Sequence, residues 1–166
     1  MRATVVVGNP KPASRTATIA GAVAETVVGG AGEVVLIELA DLASGLFTWG
    51  DAGVAEAKQA VLGSDLVVVA SPVYKASLTG LLKAFLDHFQ RDELAAKAVV
   101  PVMVGAAPVH ALAVETHLRP VLIEIGASCP TRGLFVMESQ VESISTQIEE
   151  WLAIWGAALR AVMTSA

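Results

Sequence analysis

The chain is short of the residues that build several common kinds of protein. It has one cysteine, Cys129, in 166 residues, which excludes an intrachain disulfide framework or a cysteine metal cluster and suits a reducing compartment. Charged residues make up only 16% and aromatics 5%. Lys plus Arg, 11, falls below Asp plus Glu, 16, giving a net charge of −5 with no basic cluster, so a nucleic-acid partner is not expected. No apolar run reaches the roughly 18 residues of a membrane span, and the N-terminal run stops at Gly8, short of a signal-peptide core with a cleavage site. The expectation is a cytoplasmic protein without a membrane segment. Two phosphate fingerprints are also missing, G-x-x-x-x-G-K-[ST] and G-x-G-x-x-G. What remains is very apolar: 54% hydrophobic content argues against disorder and suits one domain, residues 1–166, with a core of its own.

Near the start, the short β-branched run Ala3–Val7 opens into GNPKPASRTAT, Gly8 to Thr18. The run is too short for a buried helix, and the Gly, Asn and prolines after it cannot continue a strand. Apolar residues then recur at Ile19, Val23 and Val27, one face of a helix, which places Ser14, Arg15, Thr16 and Thr18 in the loop and first turn. Free N–H groups at a helix N-terminus, hydroxyls and a guanidinium together favour an anion. With both nucleotide fingerprints absent, a single terminal phosphate suits this loop. The alternative is an ordinary strand-to-helix connection with a Ser or Thr cap.

Further along, the first helix is expected to end in the glycines 29–32, followed by a strand at 33–39. The poorly patterned segment 40–51, with Phe47 and Trp49, reads as a loop that could serve as a lid before a helix at 54–62. A strand at 66–70 runs into SPVYKAS, and a helix over 78–89 carries Leu78, Leu81, Leu82, Phe85, Leu86 and Phe89 around a wide arc. A strand at 98–104 ends in GAAPVH; the helix after it, 110–126, contains Pro120, which should bend or break it. A strand at 133–137 and a helix at 141–163, with Trp151 and Trp155 on a core or subunit-interface face, complete the chain.

Val- and Leu-rich strands alternating with helices predict a parallel sheet covered on both faces. Five such units make a flavodoxin-like α/β three-layer sandwich, strand order 2-1-3-4-5, whose ligand crevice lies at the carboxyl ends of strands one, three and four. The loops there are GNPKPASRTAT, SPVYKAS and GAAPVH. The rigid turn and aromatic ring of Ser71 to Tyr74 suit the edge of a flat polar heterocycle, and flavin mononucleotide (FMN) has that shape. Taken alone, Tyr74 reads as half-buried packing and Lys75 as a solvated charge. His88 and His117 read as surface or packing residues, His110 as a residue facing the crevice from a helix start, and Cys129 as a small apolar group.

GNPKPASRTAT, ASPVYKASLTGLLKAFLD (70–87) and VHALAVETHLRPVL (109–122) resemble the NADPH-dependent FMN reductases, especially the branch that supplies reduced flavin to alkanesulfonate monooxygenases. The resemblance implies that Ser14, Arg15, Thr16 and Thr18 hold the flavin phosphate, with Asn9 and Lys11 in the same loop. It further implies that Pro72, Val73, Tyr74 and Ser77, beside Lys75, edge the ring system, and that Gly105 and Ala106 approach it from the fourth-strand loop. NADPH would deliver hydride to the flavin, so no side chain is needed as acid, base or nucleophile. A homo-oligomer, dimer or tetramer, is expected because the 78–89 helix and the Trp-bearing final helix offer more apolar surface than one face of a small sheet needs, and the resemblance implies a flavin-dependent monooxygenase partner. Two other classes stay open: a reductase of quinones or azo compounds with tightly held FMN, and a flavodoxin-type electron carrier, disfavoured because such carriers are more acidic. One position departs from the family: Thr116, followed by His117, stands where that branch carries an inserted tyrosine. An inserted residue beside Pro120 is expected to give an irregular turn near the flavin.

Overall fold

The computed structural model describes residues 1–164. Its strands are β1 (Arg2–Val7), β2 (Glu33–Glu38), β3 (Leu66–Pro72), β4 (Ala98–Gly105) and β5 (Leu134–Met137), all parallel in the order 2-1-3-4-5. The helices are α1 (Arg15–Val28), α2 (Ala52–Leu62), α3 (Gly80–Leu86), α4 (Arg119–Glu124) and α5 (Ile144–Met163). Among the described residues, no helix is long and apolar enough to cross a membrane, and no His/Cys/Asp/Glu group is placed to hold a metal ion.

Side chains alternate across a strand, so a strand covered on both faces must be apolar at every position. In β3, Leu66, Val68 and Ala70 pack with Ile19, Val23 and Ile148 of α1 and α5, whereas Val67 and Val69 join Phe85, Leu118 and Leu122 on the other face. Each of the Val, Leu, Ile and Phe side chains among these contributes about 1.5–3 kcal/mol by leaving water. Trp151 belongs to the first of these cores: it is 7% exposed and its Nε1–H donates to the Arg132 carbonyl at 2.9 Å. Trp155 packs partly buried beside it.

Several boundaries differ from the pattern. α1 is an exception: it begins at Arg15 after its cap Ser14, so Arg15, Thr16 and Thr18 fall in its first turn as expected. α3 is shorter than 78–89, starting after its cap Thr79 and ending at Leu86. Leu82, Phe85, Leu86 and Phe89 are all buried within the chain, so the wide apolar arc is used by the core rather than left for another subunit. The helix expected at 110–126 divides into a 3-10 turn at Pro108–His110, a π-helical turn at Val114–Leu118, and α4, which continues directly from the π-turn and carries Pro120 near its start. A 3-10 turn, Glu138–Ser143, replaces the expected start of α5. Segment 40–51 folds into turns against the end of α3. There the Trp49 and His88 rings lie 4.7 Å apart, His88 Nε2 is 2.8 Å from the Leu46 carbonyl, and Asp51 caps α2.

Candidate functional site

β1, β3 and β4 deliver three loops to one carboxyl edge. Gly8 continues the ladder by donating its N–H to the Ala70 carbonyl at 2.7 Å. No larger residue fits there, since a Cβ would stand 2.5 Å from Leu82 Cβ. Thr79 ties this loop to α3: its hydroxyl donates to the Gly8 carbonyl at 2.6 Å and accepts from the Leu82 N–H at 3.1 Å.

The first loop is braced internally. Asn9 Oδ1 accepts from the Lys11 N–H at 2.9 Å, and its Nδ2 donates to Thr16 Oγ1 at 3.1 Å. Ser14 and Thr16 are buried, and Ser14 Oγ accepts from the Ala17 N–H at 3.3 Å. Among the described residues the backbone N–H groups of Arg15 and Thr16 have no acceptor, so the positive end of a 14-residue helix presents two free donors. Arg15 stands beside them with its side chain largely exposed, Nη1 lying 3.2 Å from Glu138 Oε2. Opposite, the Ala13 N–H donates to Glu38 Oε1 at 2.9 Å.

The facing wall is the loop after β3. Tyr74 and Ser77 exchange backbone hydrogen bonds at 2.9 and 3.1 Å, closing a reverse turn whose central residues, Lys75 and Ala76, have φ of 52° and 62°. Two successive left-handed residues normally call for Asn-Gly, and Lys-Ala accepts about 1–2 kcal/mol of strain at each. The turn holds Tyr74 half exposed. Gly105 ends β4 under the Phe135 ring, which a Cβ would approach to 2.9 Å.

Between these walls lies a cleft of about 320 Å³ lined by Asn9, Lys11, Ser14, Arg15, Thr16, Pro72 and Tyr74 of the expected residues, joined by Ala13, Val104 and Glu138. Its donors and cations suit a phosphate, and its half-exposed ring suits a flat ligand. Thr18 lies one turn into α1 with its hydroxyl 3.4 Å from the Ser14 carbonyl, and it does not line the cleft. Val73, Lys75, Ser77, Gly105 and Ala106 sit on the bordering loops without lining it. His110 lines a separate shallow recess of about 150 Å³ with Ala76, Thr116 and His117. His117 joins the two regions, its Nδ1 lying 3.3 Å from Ser77 Oγ. A groove of about 450 Å³ between α3 and α4 is larger but has no comparable set of loop donors, and its Lys83 is paired with Asp87 at 2.5 Å.

The π-helical turn is held from behind. The Arg119 guanidinium pairs with Glu115 at 2.5 Å and donates to the Cys129 and Thr131 carbonyls, while Glu115 Oε1 accepts from the Gly133 N–H at 2.6 Å. The hydrogen bond from Arg119 holds the Glu115 carboxyl below its ordinary 4.5. Burial pushes the Cys129 thiol up to about 11, which keeps it an unreactive packing group.

Sequence reasoning missed Glu38, Glu138 and Thr79. The first two end β2 and follow β5, carboxyl-edge positions that the topology alone could have flagged, and Thr79 precedes a helical pattern as a cap should.

The sheet order and the crevice position define a flavodoxin-like α/β protein. Within that class, the NADPH-dependent FMN reductase family model matches residues 1–142, and the chain belongs to this family. It is 42% identical over 84 residues to an FMN reductase (NADPH) of Pseudomonas putida strain KT2440, covering 51% of this chain and 43% of that protein. The matched stretch thus spans less than half of that relative's length. The NADH-dependent FMN reductase SfnF of Pseudomonas putida is 32% identical over 142 residues, covering 81% of this chain and 76% of that protein. The apo crystal structure of the NADH:FMN oxidoreductase EMOB superposes with a TM-score of 0.83 at 32% identity, covering 99% of this chain and 89% of that one.

Proposed function

We propose that the chain is a cytoplasmic NAD(P)H-dependent FMN reductase that takes FMN as a substrate and supplies the reduced form to a partner monooxygenase. The observation that carries this reading is the union in one cleft of the capped α1 N-terminus with Arg15 and the exposed Tyr74 turn. The free N–H groups of Arg15 and Thr16, the Arg15 guanidinium and Lys11 would hold the phosphate. Pro72 and Tyr74 would bound the ring, with the turn to Ser77 positioned through His117. Bound flavin supplies the hydride acceptor, and the residues here bind and orient it rather than move protons. Both NADPH- and NADH-named relatives match, so the nucleotide is written NAD(P)H.

Openness at the ring end favours exchange of FMN over its retention. No second large aromatic among the described residues lines the cleft opposite Tyr74, which counts against a flavodoxin-type carrier. A homo-oligomer is part of the proposal, supported by Val109, Leu112 and Ile123, which are 81%, 62% and 50% exposed. A monomer in light scattering at micromolar concentration would refute that part. The function is tested by mixing purified protein with NADPH or NADH and following nucleotide oxidation with free FMN, with a quinone, and with neither. Oxidation that rises with free FMN is expected. Oxidation driven by quinone regardless of added FMN would instead indicate a tightly held flavin, and none under any condition would refute a reductase.

A further inference from the structure

Two carboxylates of the chain engage the first loop, and one of them lines the cleft. Glu38 Oε1 takes the Ala13 N–H at 2.9 Å, and Glu138 Oε2 takes Arg15 Nη1 at 3.2 Å. The two differ in what they do. Glu38 satisfies a backbone group of the loop, and so braces it. Glu138 instead engages the exposed cation that the cleft offers to a ligand, and it lines the cleft itself. A carboxylate and a phosphate make the same demand on a guanidinium, two acceptor oxygens in its plane. A phosphate entering the cleft therefore meets an arginine already paired and a negative charge beside its own.

We infer that Glu138 is an affinity-determining residue of this site, an internal anion that competes with the flavin phosphate for Arg15 and so keeps FMN exchangeable. This rests on the reading that the cleft binds FMN by its phosphate. The local structure permits the exchange. Glu138 opens the 3-10 turn after β5, and its side chain and that of Arg15 are 45% and 65% exposed, so both can change rotamer without disturbing the core. An ion pair this exposed contributes little to folding, and neutralising it should leave the fold intact. Competition also separates ligands. Glu138 weakens a phosphorylated flavin while leaving riboflavin, which has no phosphate to compete for Arg15, almost untouched.

The test is Glu138→Gln, with Glu142→Gln in the same 3-10 turn as a control for net charge. Flavin fluorescence titration at low salt would give dissociation constants for FMN and riboflavin, alongside KM for FMN with NADPH as donor. Glu138→Gln should bind FMN about three- to tenfold tighter and lower KM in step, with riboflavin and Glu142→Gln within about twofold of the starting values. Weaker or unchanged FMN binding would overturn the inference, because Glu138 would then orient Arg15 in favour of phosphate or play no part. An equal gain for riboflavin, or from Glu142→Gln, would overturn it too. If the unaltered protein reduces FMN while Glu138→Gln gains nothing, only this inference fails. If the unaltered protein neither binds nor reduces FMN, the functional reading fails with it.

Discussion

The two ends of the cleft are built in opposite ways. At the first loop, buried Ser14 and Thr16, the Asn9 bracing and the helix cap hold the donors in place by short-range hydrogen bonds within one segment. At the other end, Tyr74 is half exposed on a strained turn that reaches the π-helical segment through His117 and Ser77 at 3.3 Å. A prepaid, rigid end fixes where a ligand sits. An open, strained end lets a second substrate approach and the product leave, a division of labour that suits a flavin held by its phosphate and reacted at its ring.

The sharpest way to break this contrast is at the rigid end. Arg15→Ala removes a charge-assisted contact of about 1.5–3 kcal/mol, so FMN affinity should fall about tenfold or more while riboflavin affinity stays level in parallel titrations. Equal losses for both ligands would mean that the loop does not read the phosphate.

A smaller effect is expected from the support behind the open end. Glu115→Gln keeps an acceptor for the Gly133 N–H but loses the ion pair to Arg119, and should cost about 1–2 kcal/mol in urea unfolding at pH 7. The Glu115 carboxyl is held below its ordinary 4.5 in the folded chain, so its contribution is complete above that pH and is lost as pH falls through the folded value. The stability gap between the two proteins should therefore close below about pH 4.5. A gap that persists undiminished well below that pH would show that the ion pair is not its source.

The smallest change is at the open end itself. Thr116→Tyr places a ring beside the recess that holds His110 and His117, adding about 0.5–1.5 kcal/mol of aromatic contact if the flavin lies there. The variant should purify more yellow without added flavin and turn over free FMN more slowly. Unchanged affinity and turnover would place Thr116 away from the ring.

The contrast also explains what could be read from the sequence. The rigid end is legible because its geometry is local: a β-branched strand, a Gly-Asn-Pro break and a Ser-Arg-Thr helix start lie within Val7 to Thr16 and mark the strand end, loop and capped helix that the structure shows. Strand order followed from the alternation of apolar strands with helices, and the irregular turn from an extra residue beside Pro120. Three features stayed hidden. The resemblance groups Thr18 with Ser14, Arg15 and Thr16, yet it lies one turn into α1 and does not line the cleft. The surplus apolar face of α3 was expected to be interface, whereas α2, α4 and β4 supply partners for it on one side of the sheet. Glu38 and Glu138 reach the loop across 25 and 123 residues, a closeness created by the sheet that no local pattern carries.

The division of labour is tested most directly by titrating the unaltered protein with FMN and with riboflavin under the same low-salt conditions. Phosphate anchoring requires FMN to bind at least about tenfold tighter, with the difference shrinking as salt screens Arg15 and Lys11. Equal affinities at every salt concentration would contradict it, because the ring rather than the phosphate would then be holding the flavin.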